Sequence, residues 1–154
     1  FSPERAGTLP VGDLVKLCYS GKYTYDEVKK MITGEGGLVS YLGTNSAQEA
    51  SKRVDDGDEY ARLIYYAMAY QIAKEIGAIS AVLKGQVDAI LLTGGIAYDD
   101  MFTGWIKEMI SFIAPVHTYP GEDELKALAE GGLRILRGEE EAKIYGEGEI
   151  EYAI

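Results

Sequence analysis

The stretch Asp88-Ala-Ile-Leu-Leu-Thr-Gly-Gly-Ile-Ala97 decides how the fold is read. Its apolar run, Ala89 to Leu92, shows no alternation, the pattern of a strand buried on both faces in a helix-covered parallel sheet. The run stops at Thr93-Gly94-Gly95. Two missing Cβ atoms there let another molecule approach the backbone closely. Asp99 and Asp100 then supply acids suited to the first turn of a helix. Strand, glycine turn and helix is the layout in which open α/β sheets bind ligands beyond their strand ends. A tight strand-to-helix turn with no ligand has the same signature, and a Gly-Gly pair alone does not separate the two.

Downstream of this stretch, Met101, Trp105, Met109 and Ile110 form one apolar helical stripe. Phe112 to Tyr119 then reads as a second strand, either an edge or one that starts after Pro115, which has no N–H to donate. Residues 87–137 thus give strand, helix, strand, helix, a right-handed parallel βαβ unit. Pro120-Gly121 turns the chain into Glu122-Asp123-Glu124, which opens a helix with apolar Leu125, Leu128, Leu133 and Leu136. Acids in that position favour the helix dipole or face a hard cation. Residues 146–154 read as a short strand or a loose tail.

Upstream lies the longest element, a helix from about Asp58 to Leu83. Ala61, Ile64, Tyr65, Met68, Ile72, Ile76, Ile79 and Leu83 recur there at three- and four-residue steps. Tyr65, Tyr66 and Tyr70 read as core and rim aromatics, and Gly77 as room for a close helix contact. Thr24-Tyr-Asp-Glu27 and Ser46-Ala-Gln-Glu49 both fit a capping box. Thr44 and Asn45 therefore sit at a helix N-terminus, where short polar side chains serve either capping or a ligand. Leu38 to Leu42 reads as a short strand or extended piece. Val11 to Tyr19 reads as a helix with Leu14, Val15, Leu17 and Cys18 available for burial. This is little sheet for the size of the chain, so neighbouring strands are expected to be missing or supplied by another chain.

The 154 residues suffice for one domain with a real core. A net charge of −10 argues against a generic nucleic-acid or anionic-membrane surface. It leaves small anionic ligands open, since one arginine or a helix N-terminus can hold them. No apolar run approaches the ~20 residues of a membrane span. His117 is the only histidine and Cys18 the only cysteine, so a His/Cys zinc site cannot be assembled. Nothing near His117 supports a hydrolase triad. A lone cysteine and the lack of a secretory leader make a cytoplasmic location the expectation. The chain begins at Phe1 rather than Met, as expected of a trimmed start or a piece of a longer chain.

Five blocks stand in order: Phe1-Ser-Pro-Glu-Arg-Ala-Gly-Thr-Leu-Pro10 running on to Thr24; Gly37-Leu-Val-Ser-Tyr-Leu-Gly-Thr-Asn45; Ala67-Met-Ala-Tyr-Gln-Ile-Ala-Lys-Glu-Ile-Gly77; Asp88 to Ala97; and Tyr119-Pro-Gly-Glu-Asp-Glu-Leu-Lys-Ala-Leu-Ala-Glu-Gly131. Together they resemble butyrate kinases. The resemblance spans residues 1–145, a C-terminal nucleotide-binding portion, and leaves the tail 146–154 without a role. It implies an α/β fold, part of the C-terminal domain of the actin-like (ribonuclease H-like) ATPases, helix-rich, with a short βαβ unit and several strands missing. It also implies reversible phosphoryl transfer between ATP and butyrate with Mg²⁺, giving butyryl phosphate and ADP.

Carried over residue by residue, the resemblance assigns Arg5 to the transferring phosphoryl group. Arg5 stands in Arg-Ala-Gly, where the family usually has Arg-Ser-Gly. Thr44 and Asn45 fall on the adenosine side, and Thr93, Gly94, Gly95 and Ile96 form the turn under the nucleotide. Asp123, with Glu122 or Glu124 as alternatives, matches an acidic position near Mg²⁺. The expected partners are a small carboxylate, the missing N-terminal part of the enzyme and further copies of the chain. The family's phosphate-binding hairpins are absent from this sequence, so the chain by itself is expected to be inert. A non-catalytic nucleotide-binding or self-associating module, or a kinase for another acid such as acetate, remains the alternative.

Overall fold

A computed structural model describes residues 1–121 and 123–142. Glu122 and the tail 146–154 lie outside the described residues. The chain divides into two compact units, residues 1–121 and 122–154.

The first unit is organised around the long helix α5, Glu59–Val82. Ala61, Ile64, Tyr65, Met68, Ala69 and Ala73 form its buried stripe, at the spacing that keeps side chains on one helical face. Four short helices precede it: α1 Val11–Cys18, α2 Tyr25–Ile32, α3 Gly37–Leu42 and α4 Ala47–Asp55. After it come strand β1 Ile90–Gly94, a 3-10 turn Gly95–Tyr98, helix α6 Asp100–Ile110 and strand β2 Val116–Pro120. β1 and β2 pair in parallel, Ile90 opposite Val116 through Gly94 opposite Pro120. The core joins α5 to α3, α4 and α6 through Leu38, Ala50, Phe102, Ile106 and Ile110. Alanines at 50, 61, 69 and 73 keep the helix surfaces low and allow this close packing.

The helix signals hold where capping chemistry is local. Thr24 accepts from the Glu27 N–H while the Glu27 carboxylate accepts from the Thr24 N–H, a complete capping box. At α4 the box is only half formed. Ser46 Oγ accepts from the Glu49 N–H, but the Glu49 carboxylate takes the Thr44 hydroxyl at 2.8 Å instead. α5 is capped by Asp58, whose carboxylate accepts from the Ala61 N–H and from Arg53 at 2.6 Å. Those hydrogen bonds, Ala61 first and then Arg53, hold the Asp58 carboxyl below its usual range. A depressed folded pKa adds stability above the unfolded value, and that stability is lost as pH falls through the folded one. Asp58→Asn keeps the cap and removes the charge. The gap in urea midpoint between wild type and Asp58→Asn should therefore shrink on acidification from pH 6 to below ~4. A gap that stays constant would show that the charge adds nothing.

Other expectations are corrected. Leu38 to Leu42 is helix α3, not a strand. Its first amides donate to the N-terminal segment, Leu38 N–H to Ser2 O and Val39 N–H to Pro3 O, so the deciding signal is tertiary. Gly37 permits this approach, since a Cβ there would sit 1.8 Å from Ser2 O. β1 is not buried on both faces: Leu91 is 61% exposed, while Ile90 and Leu92 pack towards the core. Helices cover one face only, and no strand but β2 joins the sheet among the described residues. The close helix contact expected at Gly77 does not form among the described residues, where nothing lies within 4 Å of the place its Cβ would take. α1 buries no residue fully; Leu14 and Leu17 are half-buried, and Val15 and Cys18 are exposed. The second strand starts after Pro115, whose carbonyl accepts from the Ile90 N–H. Phe112 is exposed in the preceding turn.

In the second unit the described element is α7, Glu124–Leu136. It carries exposed leucines at 125, 128 and 136 and an Arg134–Glu140 ion pair of 2.8 Å. No described helix is long and apolar enough to cross a membrane.

Candidate functional site

The site is built at the carboxyl end of β1. Gly94 takes φ +90° and ψ −179°, a region open essentially to glycine alone. Its N–H and C=O exchange hydrogen bonds of 3.2 Å with Gly121. This kink turns the chain from the strand into the 3-10 turn, so Gly94 has a folding reason independent of any ligand. The next glycine is different. Gly95 is exposed, and with Ile96 it borders a hollow of about 630 Å³, within the usual size range of small-molecule sites. The hollow is also lined by polar residues of α4, including Ser51, Lys52 and Asp55.

Tyr65 and Asp99 also border the hollow. The Tyr65 hydroxyl donates to Asp99 Oδ2 at 2.9 Å, and Asp99 Oδ1 accepts from the Phe102 N–H at 2.9 Å, capping α6. Tyr65 stacks on Phe102, ring centroids 4.6 Å apart, and meets the edge of Trp105 at 6.0 Å. Burial, and then the Asp99 carboxylate, push the Tyr65 phenol above the usual tyrosine range. It therefore stays protonated and acts as a donor. Asp99 is readable from the sequence as a helix-opening acid and Tyr65 as a core aromatic. Their pairing across 34 residues has no local signal.

The remaining sequence-predicted residues are spread more widely. Thr44 and Asn45 immediately precede α4 but do not border the hollow. Thr44 is engaged with Glu49, and Asn45 Nδ2 donates to the Glu4 carboxylate at 3.4 Å. Thr93 is exposed on β1. Arg5 is exposed and borders a second, larger groove of about 950 Å³, formed by the N-terminal segment and the later turns of α5. Its backbone is pinned by a bridge to Thr33 and by its N–H donating to Ser2 Oγ. Asp123 and Glu124 are exposed in the second unit, and Asp123 makes no capping hydrogen bond. Among the described residues, no three His, Cys, Asp or Glu side chains gather to hold a metal.

Residues 4–108 match the Acetokinase family. The chain belongs to that family. The matched segment contains Arg5, Thr44, Asn45 and Thr93 to Ile96, and ends before Asp123. This acetokinase-family chain is 59% identical over 145 residues to butyrate kinase 2 of Clostridium acetobutylicum, covering 94% of the chain and 41% of that protein. It is 58% identical over 146 residues to a probable butyrate kinase 2 of Caldanaerobacter subterraneus subsp. tengcongensis, again covering 41% of that protein. The chain thus spans about two-fifths of the length of these relatives. Among solved structures it resembles acetate kinase of Porphyromonas gingivalis, with TM-score 0.75, 20% identity and coverage of 87% of this chain and 40% of that one. It also resembles acetate kinase of Entamoeba histolytica, with TM-score 0.73, 14% identity and coverage of 86% and 42%. The fold is accordingly a helix-rich part of the actin-like fold of these kinases, with a two-stranded parallel sheet.

Proposed function

We propose that this chain is the C-terminal, nucleotide-side part of a cytoplasmic kinase that moves a phosphoryl group reversibly between ATP and butyrate. The observation carrying this reading is the glycine turn of Gly95 and Ile96 on a hollow of about 630 Å³, in a chain 59% identical to a butyrate kinase. Phosphoryl transfer asks little covalent chemistry of a protein; it asks for positioning and for charge stabilisation in place. In this reading the hollow takes the adenosine against the Gly95–Ile96 turn, while the Thr44–Asn45 loop before α4, which does not border the hollow, is assigned to the adenosine side by the resemblance. Arg5 directs its guanidinium at the transferring group. Asp123 and Glu124, adjacent carboxylates of the second unit, would hold Mg²⁺, an ion commonly bound by one or two carboxylates. When bound it neutralises charge on the phosphates. The parts of the machinery outside this chain belong to the remaining length of the enzyme, so the chain alone should not turn over.

The test is Gly95→Val in the complete enzyme, assayed for butyryl phosphate formation. A branched side chain at the wall of the hollow should raise KM for ATP at least ~10-fold and leave KM for butyrate within about twofold. Equal effects on both substrates would remove the nucleotide from this turn.

A further inference from the structure

The glycine turn is anchored at its far end by one residue. Asp99, the residue after the turn, donates its N–H to Ile96 O, and its C=O accepts from the Thr103 N–H and hydroxyl at 3.0 and 2.9 Å. Its carboxylate spans two helices, with Oδ1 on the Phe102 N–H of α6 and Oδ2 on the Tyr65 hydroxyl of α5. Thr103 is itself buried, and Tyr65 is fully so. Every polar group of Asp99 is thus tied to a rigid element. The cap on α6 needs only one carboxylate oxygen; serine or asparagine would supply it equally well. The second oxygen serves the link to α5, and the ring that donates to it is held by Phe102 and Trp105.

We propose that Tyr65 is a positioning residue for the nucleotide, acting through Asp99 to fix the Gly95–Ile96 wall of the hollow relative to α5. The inference rests on the proposed function above, since it takes the hollow to be the nucleotide's. Tyr65 makes no claim on the reacting atoms. Its hydroxyl sets where the turn stands, and a wall that shifts by a fraction of an ångström loses fit to a rigid purine and ribose while the phosphoryl chemistry is untouched. A purely structural tyrosine would affect unfolding alone.

The experiment uses the complete enzyme and ATP. Tyr65→Phe keeps the ring and its packing and removes only the hydroxyl. It should raise KM for ATP about tenfold, near what a hydrogen bond to a charged group is worth, with kcat and KM for butyrate within about twofold. Asp99→Ser retains a cap for α6 but cannot reach Tyr65, and should show the same split. Ile110→Val, a buried core change away from the turn, serves as the stability control and should leave KM for ATP unmoved. An unchanged KM for ATP in Tyr65→Phe, or an equal rise in Ile110→Val, overturns the positioning role. If Gly95→Val also leaves ATP binding unaffected, the nucleotide is not in the hollow, and the proposed function falls together with the inference. A Gly95→Val effect without a Tyr65→Phe effect overturns the inference alone.

Discussion

Arg5→Ala in the complete enzyme should lower kcat about 10³-fold, the scale on which an arginine that stabilises a transferring phosphoryl group acts. The guanidinium is a planar fork of donors that matches phosphate oxygens two at a time, and it stays charged at any working pH. In this chain the Arg5 backbone is fixed by the bridge to Thr33 and the hydrogen bond to Ser2. Among the described residues no carboxylate lies within ion-pair distance of its side chain. An exposed side chain of this kind carries little of the fold, and its removal should change stability by no more than ~0.5 kcal/mol. A large loss of turnover would therefore report chemistry rather than unfolding. Arg5→Lys keeps the charge but not the fork, and should fall between wild type and alanine. Steady-state kinetics, with the melting temperature measured alongside, checks the set. A kcat loss under tenfold in Arg5→Ala would take Arg5 out of the phosphoryl role. The position of Arg5 makes this test necessary, since it borders the larger groove rather than the hollow beside Gly95.

What could be read from the sequence follows how far each signal reaches along the chain. The capping boxes read at Thr24–Glu27 and Ser46–Glu49 are three-residue signals; the first is complete and the second half formed, and Asp99 opens α6 as an acid at a helix start should. The apolar period of α5 is long enough to overrule local noise, and the helix runs Glu59–Val82, within one residue of the expected span from about Asp58 to Leu83. The parallel pairing of β1 with β2 followed from strand, helix and strand in succession. Leu38 to Leu42 failed because a short apolar run suits either state, and its helix is fixed by the carbonyls of Ser2 and Pro3. The burial of β1 failed because an unbroken apolar run promises two covered faces, whereas the described residues cover one. At the site, Gly94 and Gly95 were legible as a turn after β1, and ordered blocks rather than chemistry marked the family. The α4 face of the hollow and the Tyr65–Asp99 link were not legible. They depend on which helices lie side by side, and nothing near residue 65 points to residue 99.

Phe102→Ala should destabilise the chain by about 3–5 kcal/mol, the range for removing a fully buried aromatic from a packed core. Phe102 is 0% exposed and lies where α6 meets α5. Its ring faces Tyr65 at 4.6 Å with a tilt of 34°. Truncation leaves a void beside the buried Tyr65 ring, which is too rigid to fill it. Against a total stability of roughly 5–15 kcal/mol for a natural domain, that loss removes much of the margin. Tyr66→Ala is the informative comparison. Tyr66 packs on Trp105 at 5.4 Å but is exposed, so its loss should be no more than about 1 kcal/mol. Urea unfolding separates the two, with the slope of each transition compared so that a change in the denatured state is not mistaken for lost packing. A Phe102→Ala loss below about 1 kcal/mol would show that the α5–α6 seam is not the stability core. The hollow beside it would then be framed by something other than this packed pair of helices. A loss in the expected range, with the smaller Tyr66 effect, would mean that the same seam that holds the fold together also sets the floor on which Asp99 and the glycine turn stand.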